Sequence, residues 1–233
     1  QAALQKILGI DPLAGLPQYA TIGVTQSMLD DTFAKTNGPT PADLAATPDA
    51  PLSDAIRAKA EALNHDPIQI YTWVHNNIRF IPSYGSIQGA DMTLQTLRGN
   101  ATDTASLLIA LLRASNIPAR YAYGTVDIPI DQAKNWAGGV KDAFALGNLM
   151  GQGGIPNILR TTGGVPTSIR LEHTWVEAYV DFEPSRGLKL HNLDTWVPMD
   201  ASFKQYDFTE GYDLKESVPF DAQPLIDEIQ SSA

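Results

Sequence analysis

The sequence contains no cysteine. Disulfide frameworks, thiolate metal sites and a cysteine nucleophile are therefore excluded in the chain as it stands. No uninterrupted apolar run approaches the ~18–20 residues a bilayer-spanning helix needs, so membrane insertion is not expected. No Lys/Arg-rich run occurs either. Twenty-six acidic residues against 16 basic ones leave a net charge of −10, with an isoelectric point near 4.7. That balance argues against nucleic acid and against an anionic membrane surface as partners. The first residues, QAALQKILGIDPL, show no basic stretch leading into a long apolar one, so no signal peptide is visible. The HExxH and calcium-loop signatures are missing, and no Gly-Lys-Ser/Thr follows glycines 151, 153, 154, 163 and 164 to make a phosphate loop.

What is present is ordinary for a folded protein: 43% hydrophobic and 18% charged residues in a chain of 233. The composition divides it. Residues 1–53 read as an N-terminal arm or linker, because GPTPADLAATPDAPLSD offers few large groups to bury. Ile7, Leu8 and Leu13 are its candidate anchors. Residues 54–205 read as the core domain, and 206–233 as an acidic C-terminal extension with a short helix near 222–230. Within the core, Ser53 is placed to cap a helix over 54–64 that ends at Asn64-His65-Asp66. Asp66 then caps a second helix with Pro67 at its first position, where Ile70, Trp73, Val74 and Ile78 recur at helical spacing.

The most regular segment is RGNATDTASLLIALLRASNIPAR. Ala105, Leu108, Ile109 and Leu112 form a helical stripe, Asn100 is a good N-cap, and Asp103 sits in the first turn where it favours the dipole. ARYAYGTVDI follows as a strand. Residues 131–170 are rich in glycine and read as a long, flexible excursion, with NWAGGVKDAFALGNLM as a helix-like piece; an excursion of this length is a candidate wall of a substrate cleft. Period-2 alternation returns in RLEHTWVEAYVDF, with His173, Trp175, Glu177 and Tyr179 on one face. After a turn at EPSRG, LDTWVPMDASF reads as another strand. Helices first and antiparallel strands second indicate an α+β fold, with helices packed on an antiparallel sheet.

Three of these stretches, RGNATDTASLLIALLRASNIPARYAYG, HTWVEAYV and WVPMDASF, together resemble the transglutaminase-like superfamily over roughly 54–205. The resemblance implies a papain-like core with a Cys-His-Asp site. It places the cysteine position at Ala101, the histidine at His173 and the aspartate at Asp200. Asn116 stands where the family usually has glycine, and asparagine also tolerates a left-handed helix end.

The chemistry explains the pattern. A helix N-terminus lowers a thiol's pKa, an imidazole takes its proton, and a carboxylate fixes the imidazole tautomer. The N–H of residue 101 would serve an oxyanion hole and survives replacement by alanine. Gln88 and Gln95 are candidates for its second donor, and Trp175 and Trp196 for cleft walls that exclude water. Thr102 and Ser106 lie near the slot but are rotated or displaced along the helix, so neither is expected to replace the nucleophile.

Under this resemblance the chain acts on a protein or peptide substrate by cysteine acyl transfer, hydrolytic or cross-linking, and is inactive as written. Alanine at 101 arises either by deliberate replacement or by natural loss. In the second case the chain is a pseudoenzyme, acting as a peptide-binding or structural module of a larger surface protein. Bacterial relatives are often parts of large secreted or surface proteins, so an extracytoplasmic setting is implied. No cofactor or required metal is expected: His173 and Glu177 have a helical ligand spacing but sit in a strand. His65, His75 and His191 read as surface or turn residues.

Overall fold

The computed structural model describes residues 38–181, 195–209, 211–218 and 220–231. Ile7, Leu8, Leu13, the EPSRG turn and His191 lie outside them.

Two short helices open the core. In α1 (Asp54–Ala62) the Ser53 hydroxyl accepts from the Ile56 N–H at 3.3 Å. In α2 (Pro67–Asn77) the Asp66 carboxylate accepts from Ile68 and Gln69 at 2.8 and 2.9 Å. Both are capped as their sequences dictate. A two-residue strand β1 (Arg79–Phe80) pairs in parallel with β2 (Arg98–Gly99), and α3 (Gly89–Thr96) lies between them.

The central helix α4 (Ala101–Ala114) carries more than an apolar stripe. Every residue from Asp103 to Arg113 is buried, because α1, α2, α3 and the sheet surround it. An Arg113 in that interior is tolerable because its guanidinium donates to the carbonyls of Ala119 and Ala45. The same bonds bind part of the N-terminal arm to the core, and Ala50 is fully buried there. Asn116, at φ 58°, ends the helix in the left-handed conformation, and the Ile117 N–H returns to the Leu112 carbonyl at 2.9 Å.

The sheet is built around one long strand, β5 (Val165–Val180). Along one edge β3 (Ala119–Pro129) pairs antiparallel with residues 168–178. On the other edge β4 (Asn157–Thr162) pairs with 165–171 and β6 (Thr195–Met199) with 176–180. Residues 172–175 are thus left between two partners on that edge.

The glycine-rich excursion does not behave as a flexible connection. It forms α5 (Ile130–Trp136) and α6 (Ala143–Gln152), broken at Gly138 and Gly139, both with positive φ. Ala133, Trp136, Leu146, Met150 and Ile155 from this region build a second core with Phe80, Ile128, Ile169 and Leu171. Glycine composition hid a packed unit. The last segment carries two exposed helical pieces, Leu214–Ser217 and Gln223–Ser231.

Candidate functional site

Ala101 is the first residue of α4, where the helix presents N–H groups without intrahelical partners. The approach to it is tightly specified. A Cβ on Gly99 would lie 3.2 Å from the side chains of Thr93, Asp103 and Thr104, so the Arg-Gly-Asn sequence needs its glycine for close packing. Asn100 caps the helix by accepting from Asp103 N–H at 2.8 Å, while its amide donates to the Gly85 carbonyl at 2.7 Å and Ser83 Oγ at 3.3 Å. Asp103, 2% exposed, turns one carboxylate oxygen to the N–H groups of Ile87, Gln88 and Gly89 at 3.0, 3.1 and 3.1 Å. One buried carboxylate therefore holds the start of α3 and the 83–89 loop against the start of α4.

Ala101 and His173 line the same small cleft, walled by Ser83, Tyr84, Trp136 and Glu172. His173 sits in the interrupted edge of β5, and Asp200 follows directly after β6. The two side chains meet with His173 Nε2 2.7 Å from Asp200 Oδ2, 5% and 30% exposed respectively. Asp200 Oδ1 accepts from the Ser202 N–H and hydroxyl, each at 2.9 Å, and from Phe203 N–H at 3.1 Å. Burial pushes the Asp200 carboxyl up, but the His173 hydrogen bond and charge, with Ser202 and Phe203, outweigh it. Its pKa is held below the usual carboxylate range. Pairing through Nε2 leaves Nδ1 as the ring nitrogen not engaged by Asp200. On the Asp200 side, the pair borders a second, more open hollow lined by Ile128, Pro129 and Phe203.

Trp136 takes the shielding place that the sequence suggested for Trp175 and Trp196. It is 1% exposed, stacks on Phe80 at 4.1 Å, meets the His173 ring edge-on at 5.5 Å, and donates to the Ser202 carbonyl at 2.7 Å. Trp175 lies alongside His173 at 6.4 Å. Trp196 is remote: it packs on Tyr179 and under the Arg120 guanidinium, which is itself paired with Glu177 at 2.7 Å. Four residues along a strand span about 13 Å, so neighbourhood to Asp200 in sequence does not bring Trp196 to the site.

Gln88 and Gln95 do not reach the cleft. The Gln88 amide donates to the Arg98 carbonyl and Thr93 Oγ1, and Gln95 is exposed on α3. Thr102 does line the cleft, held by Thr174 Oγ1 at 3.2 Å, whereas Ser106 bonds Tyr121 deeper in the fold. His65 contacts Ser115 and His75 contacts Asn76, both away from the cleft. Among the described residues no group of His, Asp and Glu forms a metal cluster.

One further residue had no signal in the sequence. Lys204 is 7% exposed and donates to the carbonyls of His75 and Ile78 at the end of α2. Burial pushes its pKa down to about 8, with the Asp200 charge opposing.

The profile of the transglutaminase-like superfamily matches residues 50–201, well over half of the chain. The chain belongs to the transglutaminase-like superfamily. Its α+β core, with helices on an antiparallel sheet, is the fold of that class. A proposed cysteine protease from Cytophaga hutchinsonii, of known structure, is similar at 20% identity and a TM-score of 0.39; the match covers 69% of this chain but only 41% of that one. No curated protein matches.

Proposed function

We propose that this chain is the catalytic domain of a cysteine acyl-transfer enzyme acting on protein or peptide amides, held inactive by alanine at the nucleophile position. One observation carries the reading. His173, joined to Asp200 at 2.7 Å through Nε2, shares a cleft with residue 101 at a helix N-terminus. With cysteine there, the helix end and the imidazole would favour the thiolate. The thiolate would add to the amide carbonyl carbon, and the amide C–N bond would break as His173 returns its proton to the leaving amine. Water or a second amine then attacks the thioester and releases the thiol. Asp200, ionised through its low pKa, would hold the ring and stabilise the imidazolium. Trp136 would keep water from the pair, and the N–H of residue 101 would face the oxyanion.

The test is Ala101→Cys, which installs the chain's sole thiol. Its alkylation by iodoacetamide is followed against pH, with a second variant carrying His173→Ala as well. A thiol pKa well below ~8.5 in the first protein and near that value in the second supports the enzyme reading. An ordinary or inaccessible thiol in both proteins overturns it, and makes the chain a pseudoenzyme whose cleft serves recognition.

A further inference from the structure

The cleft beside residue 101 contains one carboxylate, and it is unusually well oriented. Glu172 precedes His173 on β5 and lines the cleft with Ala101. Its Oε2 accepts from the Tyr84 hydroxyl at 3.0 Å, and Tyr84 Oη is in turn 2.8 Å from Tyr123 Oη. With the Tyr84 proton given to Glu172, Tyr123 is the donor of the second bond, so a relay from Tyr123 through Tyr84 fixes the carboxylate. Among the described residues no cation pairs with Glu172, and no lysine or arginine lines the cleft. Arg170, two residues away on β5, is occupied elsewhere: it binds Asp127 at 2.5 Å.

We propose that Glu172 makes the cleft selective for an acyl-donor peptide carrying a cationic side chain, ammonium or guanidinium, beside the amide that reacts. The inference rests on the acyl-transfer reading and specifies its substrate. The physical reason is desolvation. A neutral peptide lying in the cleft would cover a fixed carboxylate without compensating it, which is costly, and an anionic one would add repulsion. A cation satisfies the Glu172 oxygen that Tyr84 does not reach. The attacking amine of a transfer reaction is not the group recognised, because a carboxylate partner holds an amine protonated and a protonated amine cannot attack.

Two measurements on the Ala101→Cys protein test this. In the first, the thiol is modified by aminoethyl (cationic) and sulfonatoethyl (anionic) methanethiosulfonate, each rate being normalised to the neutral methyl reagent. The cation-to-anion ratio is expected to fall by roughly fivefold or more in Glu172→Gln, and to change little in Glu177→Gln, which keeps the net-charge change but lies on another partner. Tyr84→Phe, which retains the charge and loses its orientation, is expected to fall between. An unchanged ratio in Glu172→Gln, or a thiol closed to all three reagents, overturns the proposal; thermal melts confirm that the variants fold.

The second measurement is hydrolysis, in the absence of any amine, of two glutamine peptides differing only in lysine or norleucine beside the glutamine. A preference for lysine of about tenfold, residing in KM and lost in Glu172→Gln, supports a donor-side cation. Equal kcat/KM values for two hydrolysed peptides overturn the donor assignment. If neither peptide is hydrolysed the enzyme reading itself fails, while the reagent ratios still decide whether Glu172 selects cations.

Discussion

The two ends of β5 bury opposite faces. Near its start, Ile169 and Leu171 pack into the core made by α5 and α6; near its end, Val176, Ala178 and Val180 pack against α4. The odd-numbered residues are inside from Ile169 to His173 and the even-numbered ones from Val176 to Val180. His173 stands at the changeover, in the four residues that neither β4 nor β6 pairs. The core around α4 is mainly helix on helix, closed by the sheet, from segments with strong helical periodicity. The other is assembled from a glycine-rich excursion with weak patterning. The site lies on the seam between them, drawing Ala101 from one side and Trp136 from the other. A seam lets a polar pair reach solvent at one point while both flanks stay packed.

Truncation on either side of the seam should separate the two cores, and this is the largest effect expected. Leu108→Ala, in the fully enclosed helix, is expected to cost about 3–5 kcal/mol in denaturant melts and to lower amide protection throughout the chain. Leu146→Ala should cost about 2–3 kcal/mol, with exchange rising first in α6 and β4 while α4 stays protected. Equal loss of protection everywhere in both variants would show that the two cores unfold as one.

A smaller effect sharpens the comparison at the seam itself. Trp136→Phe keeps most of the ring but removes the donor to the Ser202 carbonyl, at an expected cost of about 1–2 kcal/mol. The His173 ring resonances should shift in NMR spectra while those of α4 methyl groups stay in place. Unmoved His173 signals would mean that the tryptophan does not govern the pair.

The smallest effect is one of pH. Because Asp200 has its pKa lowered in the native state, its ionised form contributes stability that is complete above the unfolded value of ~3.9 and is lost as pH falls through the lower native value. The stability gap between the parent chain and Asp200→Asn should therefore narrow as pH falls below about 4. A gap independent of pH would remove the ionised Asp200 from the account of the pair.

Local rules and recurring motifs made much of this legible. Ser53, Asp66 and Asn100 cap the helices they were expected to cap, and Asn116 ends α4 with positive φ. His173 and Asp200 could be singled out because one sits within a recognisable strand and the other directly after one. What the sequence hid was tertiary. Trp136 lies at the start of a helix-like piece within a glycine-rich excursion, and only the packing of α5 on β5 brings it to His173. Gln88 and Gln95 were near in sequence, but the amide of the first is spent on Thr93, Thr96 and the Arg98 carbonyl, and the second lies in solvent. Glu172 was adjacent to the histidine all along. The role proposed for it depends on Tyr84, 88 residues away, and on the absence of a partner cation among the described residues, neither of which a linear pattern expresses.

The register of β3 on β5 has a kinetic consequence. Its pairs close loops of about 40 to 60 residues, and β6 adds to β5 only across a further connection. Long-range antiparallel pairing of this kind is slow compared with the formation of the capped helices. The helix that carries residue 101 is therefore expected to form well before the imidazole and carboxylate reach it. A cysteine placed there would remain an ordinary thiol through the early stages of folding and acquire its reactivity only in the finished molecule, a delay that would spare nascent chains from reacting with one another.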